Sequence, residues 1–367
     1  MKDLLLIVKI AYYLLFVASL YFYAKYKYKK DSTKKFGIVA LIIFAIIFGI
    51  YGIICGPPGE SIGDRHNYSW RFETPGQETY NMNQSFGLYA IEAVLQLFTR
   101  SSSILFFTIS VLYFCINIYC YKRIKASTPF YLLLFFLSTI GLYGFFALKQ
   151  ALSLAFINLA LTMYLDNKKI PALLFLVIAI LFHEAAWIVI PCFILAKLCK
   201  GSNTRQALVY VGMIAIAVFF PQISKVFVNL FNHIPGMGDQ ISSYVDETGS
   251  VLIDMNIFTI LKSVPYYLIT VVAVLYRKRL KDKIDNYDFL LVLSVFCSIF
   301  SILSMYMYWM FRFAMYCYAP CFILASQITN HLHEKNLKLF KVAVAGGLLI
   351  LMIKLLIQYY FIYGGIV

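Results

Sequence analysis

Charge is what this sequence has least of. Charged residues make up 13% of the 367 and apolar residues 62%, with a mean hydropathy of +0.78. No polar block or Pro/Gly/Ser-rich linker interrupts the apolar runs. That excludes a separate soluble domain and leaves an all-α polytopic membrane protein, expected as a single transmembrane domain over 1–367. A cysteine framework is also missing. Cys115, Cys120, Cys192, Cys199, Cys297, Cys317 and Cys321 lie in or near apolar runs, and only Cys55 sits at an outer loop, so small packing residues are expected. There is no internal repeat, low-complexity tract, Gly-rich nucleotide loop, haem ligand pair or DxD-like motif. Soluble nucleotide-sugar chemistry is therefore disfavoured, and no cofactor is expected. His183-Glu184 opens like a zinc-protease helix, but HExxH needs His at 187, where the chain has Trp187, so no metal is expected.

What charge there is falls in clusters. Basic residues group after the runs at 4–23, 103–121, 149–165, 170–199 and 257–276, and before the last run at 339–362. The six clusters hold 22 of the 32 Lys and Arg residues, which accounts for the net charge of +15 without a nucleic-acid partner. The positive-inside rule places all six in the cytoplasm. The run 4–23 is too long for a signal-peptide core and is followed by lysines, so it is expected to persist as a span. The other apolar segments are 36–54, 128–147, 206–220, 288–307 and 311–328.

Only 170–199 disturbs an alternating path, because it is basic at both ends. At 30 residues it exceeds the ~20 that one crossing needs. A hairpin of two short helices turning at His183 restores the path, giving about 11–12 transmembrane helices, and a long tilted helix is the alternative. Two outer loops follow, 55–102 and 221–256. Within the first, 55–85 reads as irregular, and 86–98 reads as an interfacial helix with Glu92 and Gln96 on its wetter face.

The charges outside the basic clusters are the candidate site, because a charge beside lipid is a functional-site hypothesis by default. The path places Asp64-Arg65, Lys149, His183-Glu184 and Arg312 on one side of the membrane. Asp64 can accept a proton from a substrate hydroxyl, and the planar fork of Arg65 can grip a phosphate. Lys149, next to Gln150, lies outside against the positive-inside bias, which points to an anionic group. A neutral His183 can serve as donor, base or phosphate partner. Arg312 is expected in a short outer turn at 305–316, dense in aromatics such as Trp309 that can stack on sugar rings.

These residues carry a resemblance. Asp64 to Tyr68 (DxxxY), then KQALSLAFINLALTMYLDNKK at 149–169, ILFHEAAWIVIPCFIL at 180–195 and the Arg in WMFRFAMYCYAP at 309–320 resemble, in order, the Wzy/EpsG-type polysaccharide polymerases. These are the integral-membrane enzymes that assemble bacterial O-antigen, capsule and exopolysaccharide. The resemblance implies a GT-C-like membrane glycosyltransferase architecture in the bacterial inner membrane, with the site facing the periplasm or exterior. The implied reaction moves a glycan from undecaprenyl pyrophosphate to the terminal sugar of another lipid-linked repeat unit. Asp64 and His183 would be catalytic, and Arg65, Lys149, Arg312, Tyr68, Gln150, Glu184 and Trp309 would bind sugar and pyrophosphate. The implied partners are the lipid-linked oligosaccharide and membrane lipids, with a chain-length regulator left open. One departure is that the family usually has Arg where this chain has Lys149, which keeps the charge and loses the fork. An O-antigen ligase or a polyprenyl-phosphate-sugar glycosyltransferase is the nearest alternative. A flippase is the more distant one, disfavoured by charges at span ends and by the absence of internal symmetry.

Overall fold

A computed structural model describes residues 2–30, 37–55, 64–75, 86–124, 128–232, 261, 263–304 and 310–362. Secondary structure among them is helical throughout, as the apolar composition requires of chain that spans a membrane. The chain divides into two compact units, one of Met1–Glu184 with Ala345–Val367 and one of Ala185–Val344.

The first unit holds α1 (Lys2–Lys30), α2 (Ile38–Ile54), α3 (Asp64–Glu73), α4 (Phe86–Gln96), α5 (Ser102–Arg123), α6 (Pro129–Leu137), α7 (Thr139–Phe146), α8 (Leu148–Leu165) and α9 (Lys169–Phe182). Helix α8 is its axis, packed along α9 and α5, and α2 lies along α5. The α2–α5 approach is close because Gly52 has no side chain. A Cβ there would fall 2.2 Å from Ser110 Oγ. The run expected as one span at 128–147 is broken at Ser138, where α6 and α7 bend by 57°. The bend needs Gly141, whose Cβ would lie 2.7 Å from the Phe136 backbone. Backbone groups freed in such a break must be paired inside lipid. Here Tyr13 Oη donates to Phe136 O (2.7 Å), Tyr113 Oη to Ile140 O (2.6 Å) and Ser110 Oγ to Gly144 O (3.0 Å).

The second unit holds α10 (Val189–Cys199), α11 (Asn203–Asn232), α12 (Val264–Leu280), α13 (Tyr287–Leu303), α14 (Met310–Tyr316) and α15 (Tyr318–Ile328). Helix α13 is its core and packs against all the others. Thr270 Oγ1 meets Ser298 Oγ at 2.8 Å, and the Tyr266 and Tyr318 rings stack at 4.0 Å. Helix α16 (Glu334–Ile362) begins in the second unit and continues in the first.

Among the described residues, four helices are long and apolar enough to cross a membrane, or five if α6 and α7 form one broken span. Six further apolar helices have 10–17 residues, and together these make the all-α polytopic membrane protein that was expected. The breaks between short helices have local causes. Helix α9 stops at Phe182, His183 is extended (φ −154, ψ 117), and a 3-10 turn over Glu184–Ile188 precedes α10. The expected break at His183 is therefore present in the backbone. Pro320 has no N–H to give Tyr316 O, so the chain is interrupted at Cys317 between α14 and α15. Two loop expectations are corrected. Residues 64–73 are helix rather than irregular chain, and α11 runs on to Asn232 into the loop expected from 221.

Candidate functional site

In the first unit, the two ends of the bundle differ. At one end Arg123, the last residue of α5, donates to Asp166 Oδ2 just beyond α8 (Nε 3.0 Å, NH2 2.7 Å), with Lys168 and Lys169 following. At the other end the Ser102 N–H that starts α5 donates to Glu73 Oε1 of α3 (3.2 Å). The 18 residues of α8 put about 27 Å between its termini. The basic residues 122–123 and 168–169 thus gather opposite Asp64, Lys149 and His183, which all lie at the second end.

Helix α3 explains its own placement. Arg65, Tyr68 and Phe72 are buried at spacings of three and four, one helical face, and Asp64 stays exposed in the first turn. Arg65 does not face open space. Its NH1 donates to Gly52 O (2.8 Å) and Phe145 O (3.0 Å) and lies 3.6 Å from Cys55 Sγ, while NH2 donates to Ile53 O (3.0 Å). The guanidinium also sits 3.7 Å from the centre of the Phe106 ring. The expectation of a fork open to phosphate is therefore not what the geometry presents. The cation caps the carbonyl ends of α2 and α7, where a positive charge is favoured. Cys55, expected in an outer loop, is buried beside it.

Tyr68 reaches the other side of the same joint. Its ring packs in one cluster with Leu148, the first residue of α8. Burial pushes the phenol well above its ordinary pKa, and the Asp64 carboxylate adds to this. Arg71 pulls the other way by less and Glu92 adds a little to the rise, so Tyr68 stays protonated. Its ring belongs to an apolar cluster with Phe72, Leu88, Phe106, Leu148, Leu152 and Phe182, which joins α3, α4, α5, α8 and α9.

Lys149 is half-buried in the first turn of α8, and Gln150 beside it is 6% exposed. The N-cap is Ala147, which has no side-chain acceptor to offer. Gln150 Nε2 is shut off from solvent and meets no acceptor among the described residues. An unpaired buried amide is unfavourable by roughly 1–3 kcal/mol. Farther along α8 the polar residues are internally satisfied. Ser153 Oγ donates to Ala179 O (2.9 Å), Asn158 Nδ2 to Asn117 Oδ1 (2.7 Å) and Thr162 Oγ1 to Asn158 O (2.7 Å). Ala179 O also accepts the His183 N–H (3.0 Å), which ties the end of α9 to the first turns of α8. The His183 side chain is buried.

Glu92 was expected on the wet face of an interfacial helix. It is instead 2% exposed and paired through both oxygens with Arg71 of α3, and Gln96 Nε2 donates to Phe72 O (3.1 Å). The polar face of α4 turns inward onto α3, and Phe86, Tyr89 and Val94 are exposed. The Arg71–Glu92 pair and the buried Lys9 of α1 are charges the sequence reading passed over. Lys9 was visible as a cation inside the run 4–23. The partner of Arg71 lies 21 residues away and carries no local signal.

In the second unit Arg312 is half-buried in the first turn of α14, a helix where a turn was expected. Its neighbour Phe313 meets Trp187 edge-on at 6.3 Å. Glu184 is half-buried at the start of the 3-10 turn. Trp309 lies outside the described residues.

The EpsG family model matches residues 41–364. The chain belongs to the EpsG family. The match takes in every candidate residue, and EpsG proteins are Wzy-type polysaccharide polymerases, bacterial and membrane-associated. Polysaccharide biosynthesis by a polymerase of glycosyltransferase type is accordingly the general function. No curated protein and no solved structure matches the chain.

Proposed function

We propose that this EpsG-family protein transfers a glycan from undecaprenyl pyrophosphate to the terminal sugar hydroxyl of another lipid-linked repeat unit, at the outer face of the inner membrane. The observation that carries the reading is the start of α8. A cation, a helix terminus with no side-chain N-cap bond and a buried amide with no acceptor among the described residues coincide there. Helix N-termini favour anions, and the amide regains its hydrogen bond when a phosphate oxygen arrives.

In this reaction the acceptor oxygen bonds to the anomeric carbon, and the bond from that carbon to the pyrophosphate oxygen breaks. Negative charge grows on the leaving group, so fixed positive groups stabilise the transition state more than the ground state. Lys149, Gln150 and the positive end of α8 are assigned to that charge. Asp64, exposed at the start of α3, and His183, at the end of α9, are assigned to the proton leaving the acceptor hydroxyl. Arg312 is assigned to phosphate, and Trp309 and Glu184 to sugar. The outer-face assignment is supported by the distance along α8 between Asp64, Lys149 and His183 and the basic residues at 122–123 and 168–169.

Purified protein in nanodiscs, supplied with a synthetic undecaprenyl-pyrophosphate repeat unit, is expected to give a ladder of polymer on gels. Lys149→Ala is expected to lose at least about 100-fold in rate, the scale of removing one electrostatic stabiliser, and Lys149→Arg to retain most of it. Long polymer from Asp64→Ala, His183→Ala and Arg312→Ala alike would sink the site assignment.

A further inference from the structure

Helix α3 has two sides of opposite character. Seven of its ten residues are polar or charged, and the helix is tied down at both ends. In the first turn Arg65 donates to Gly52 O, Ile53 O and Phe145 O. At the far end Arg71 pairs with both oxygens of Glu92, Phe72 O accepts Gln96 Nε2, and Glu73 Oε1 accepts the Ser102 N–H. A short helix held from α2, α4, α5 and α7 presents its other side at fixed positions. That side carries Asp64, Asn67 and Trp70, all exposed and spaced by three. At about 1.5 Å of rise per residue the set spans about 9 Å, and each member neighbours the next on the helix surface. Among the described residues, neither the Asp64 carboxylate nor the Asn67 amide makes a side-chain hydrogen bond, and the Trp70 indole meets no other ring. Lipid does not suit this side, because the carboxylate and the amide would lose their hydration. The adjacent α4 shows the contrast, with Phe86, Tyr89 and Val94 exposed on an uncharged face.

A flat apolar ring in water, flanked by hydrogen-bonding groups, matches the surface of a sugar, which offers C–H groups on its faces and hydroxyls at its rim. We propose that the outward side of α3 is the subsite for the acceptor's terminal sugar, with Trp70 stacked on the sugar ring and Asn67 hydrogen-bonded to its hydroxyls. The inference rests on the assignment of Asp64 to the acceptor proton, and it names the residues that hold the sugar bearing that proton. Asn67 lies less than one turn from Asp64, so a sugar seated on Trp70 and Asn67 turns a hydroxyl toward the carboxylate. The two regions of the site then read different parts of the substrates. The start of α8 meets a pyrophosphate that every lipid-linked unit carries, and α3 meets the sugar that distinguishes one repeat from another.

The test uses full-length protein in nanodiscs and two probes. One is the free oligosaccharide released by mild acid from the lipid-linked repeat unit, with binding followed by saturation-transfer NMR. Trp70→Ala is expected to weaken binding about tenfold, the scale of one stacked aromatic ring, and Asn67→Ala about threefold. Trp70→Phe keeps a ring and is expected to stay near wild type. The other probe is a non-cleavable phosphonate analogue of the lipid-linked unit, which serves only as acceptor. Trp70→Ala is expected to raise its KM about tenfold, with the donor KM and kcat within about twofold. Asn67→Cys is expected to react with a water-soluble maleimide, several-fold more slowly when the oligosaccharide is present. Unchanged binding in both Trp70→Ala and Asn67→Ala overturns the subsite. Equal rises in donor and acceptor KM overturn it too, because they mark general support of the bundle. An unreactive Asn67→Cys places this side in lipid and also overturns it. Binding and labelling need no turnover. Trp70-dependent binding by a protein that makes no polymer would leave the subsite standing while the proposed function fails.

Discussion

The two ends of the first unit use their charges in opposite ways. At the basic end, Arg123 meets Asp166 side chain to side chain, with Arg123 39% exposed. Water screens such a pair, which adds little to stability. At the other end Arg65 is 8% exposed and bound to main-chain carbonyls of two helices, and Arg71 closes on a Glu92 that is 2% exposed. The first arrangement has the wet, basic character that the positive-inside rule associates with orientation in a membrane. The second fixes atoms in place. Charge of one sign thus does topological work where it is wet and architectural work where it is dry, and only the dry end has the rigidity a reaction site needs.

That contrast can be broken by mutation, measured as reversible unfolding in mixed micelles. Arg65→Met strips partners from Gly52, Ile53 and Phe145 carbonyls together and is expected to destabilise by about 4 kcal/mol. A loss under about 1 kcal/mol would equate it with the wet end and erase the distinction. Glu92→Ala leaves Arg71 without its carboxylate and is expected to lose about 3 kcal/mol, with Glu92→Gln losing less. Arg123→Ala should lose less than about 1 kcal/mol, and that small effect should shrink further as salt is raised.

Much of this was legible in the sequence. Long apolar runs marked the helices, and the excess length of 170–199 with His183 at its middle marked the break between α9 and α10. The ordered motifs marked the family, and Lys149-Gln150 was singled out by its position against the charge bias. Helix α3 was not legible, because its inward face is Arg65, Tyr68 and Phe72, and an arginine at a core position spoils the apolar period. The bend at Ser138 was hidden for a related reason. The groups that satisfy it, Tyr13 and Tyr113, come from other helices. Glu92 was misplaced because its partner sits on that unrecognised helix. In each case the missing information was a contact between distant parts of the chain.

The sequence separation of the Arg65 contacts also sets an order of events during synthesis. Its partners on α2 are 13 and 12 residues behind it and are present as soon as α3 emerges, whereas Phe145 is 80 residues ahead. A nascent chain that has reached α5 therefore carries an arginine already seated on one helix end and waiting for another. That end of the bundle becomes complete only after α7 has been inserted and α8 has begun. Until then the half-made protein lacks the first turn of α8, to which the pyrophosphate is assigned under the proposed function.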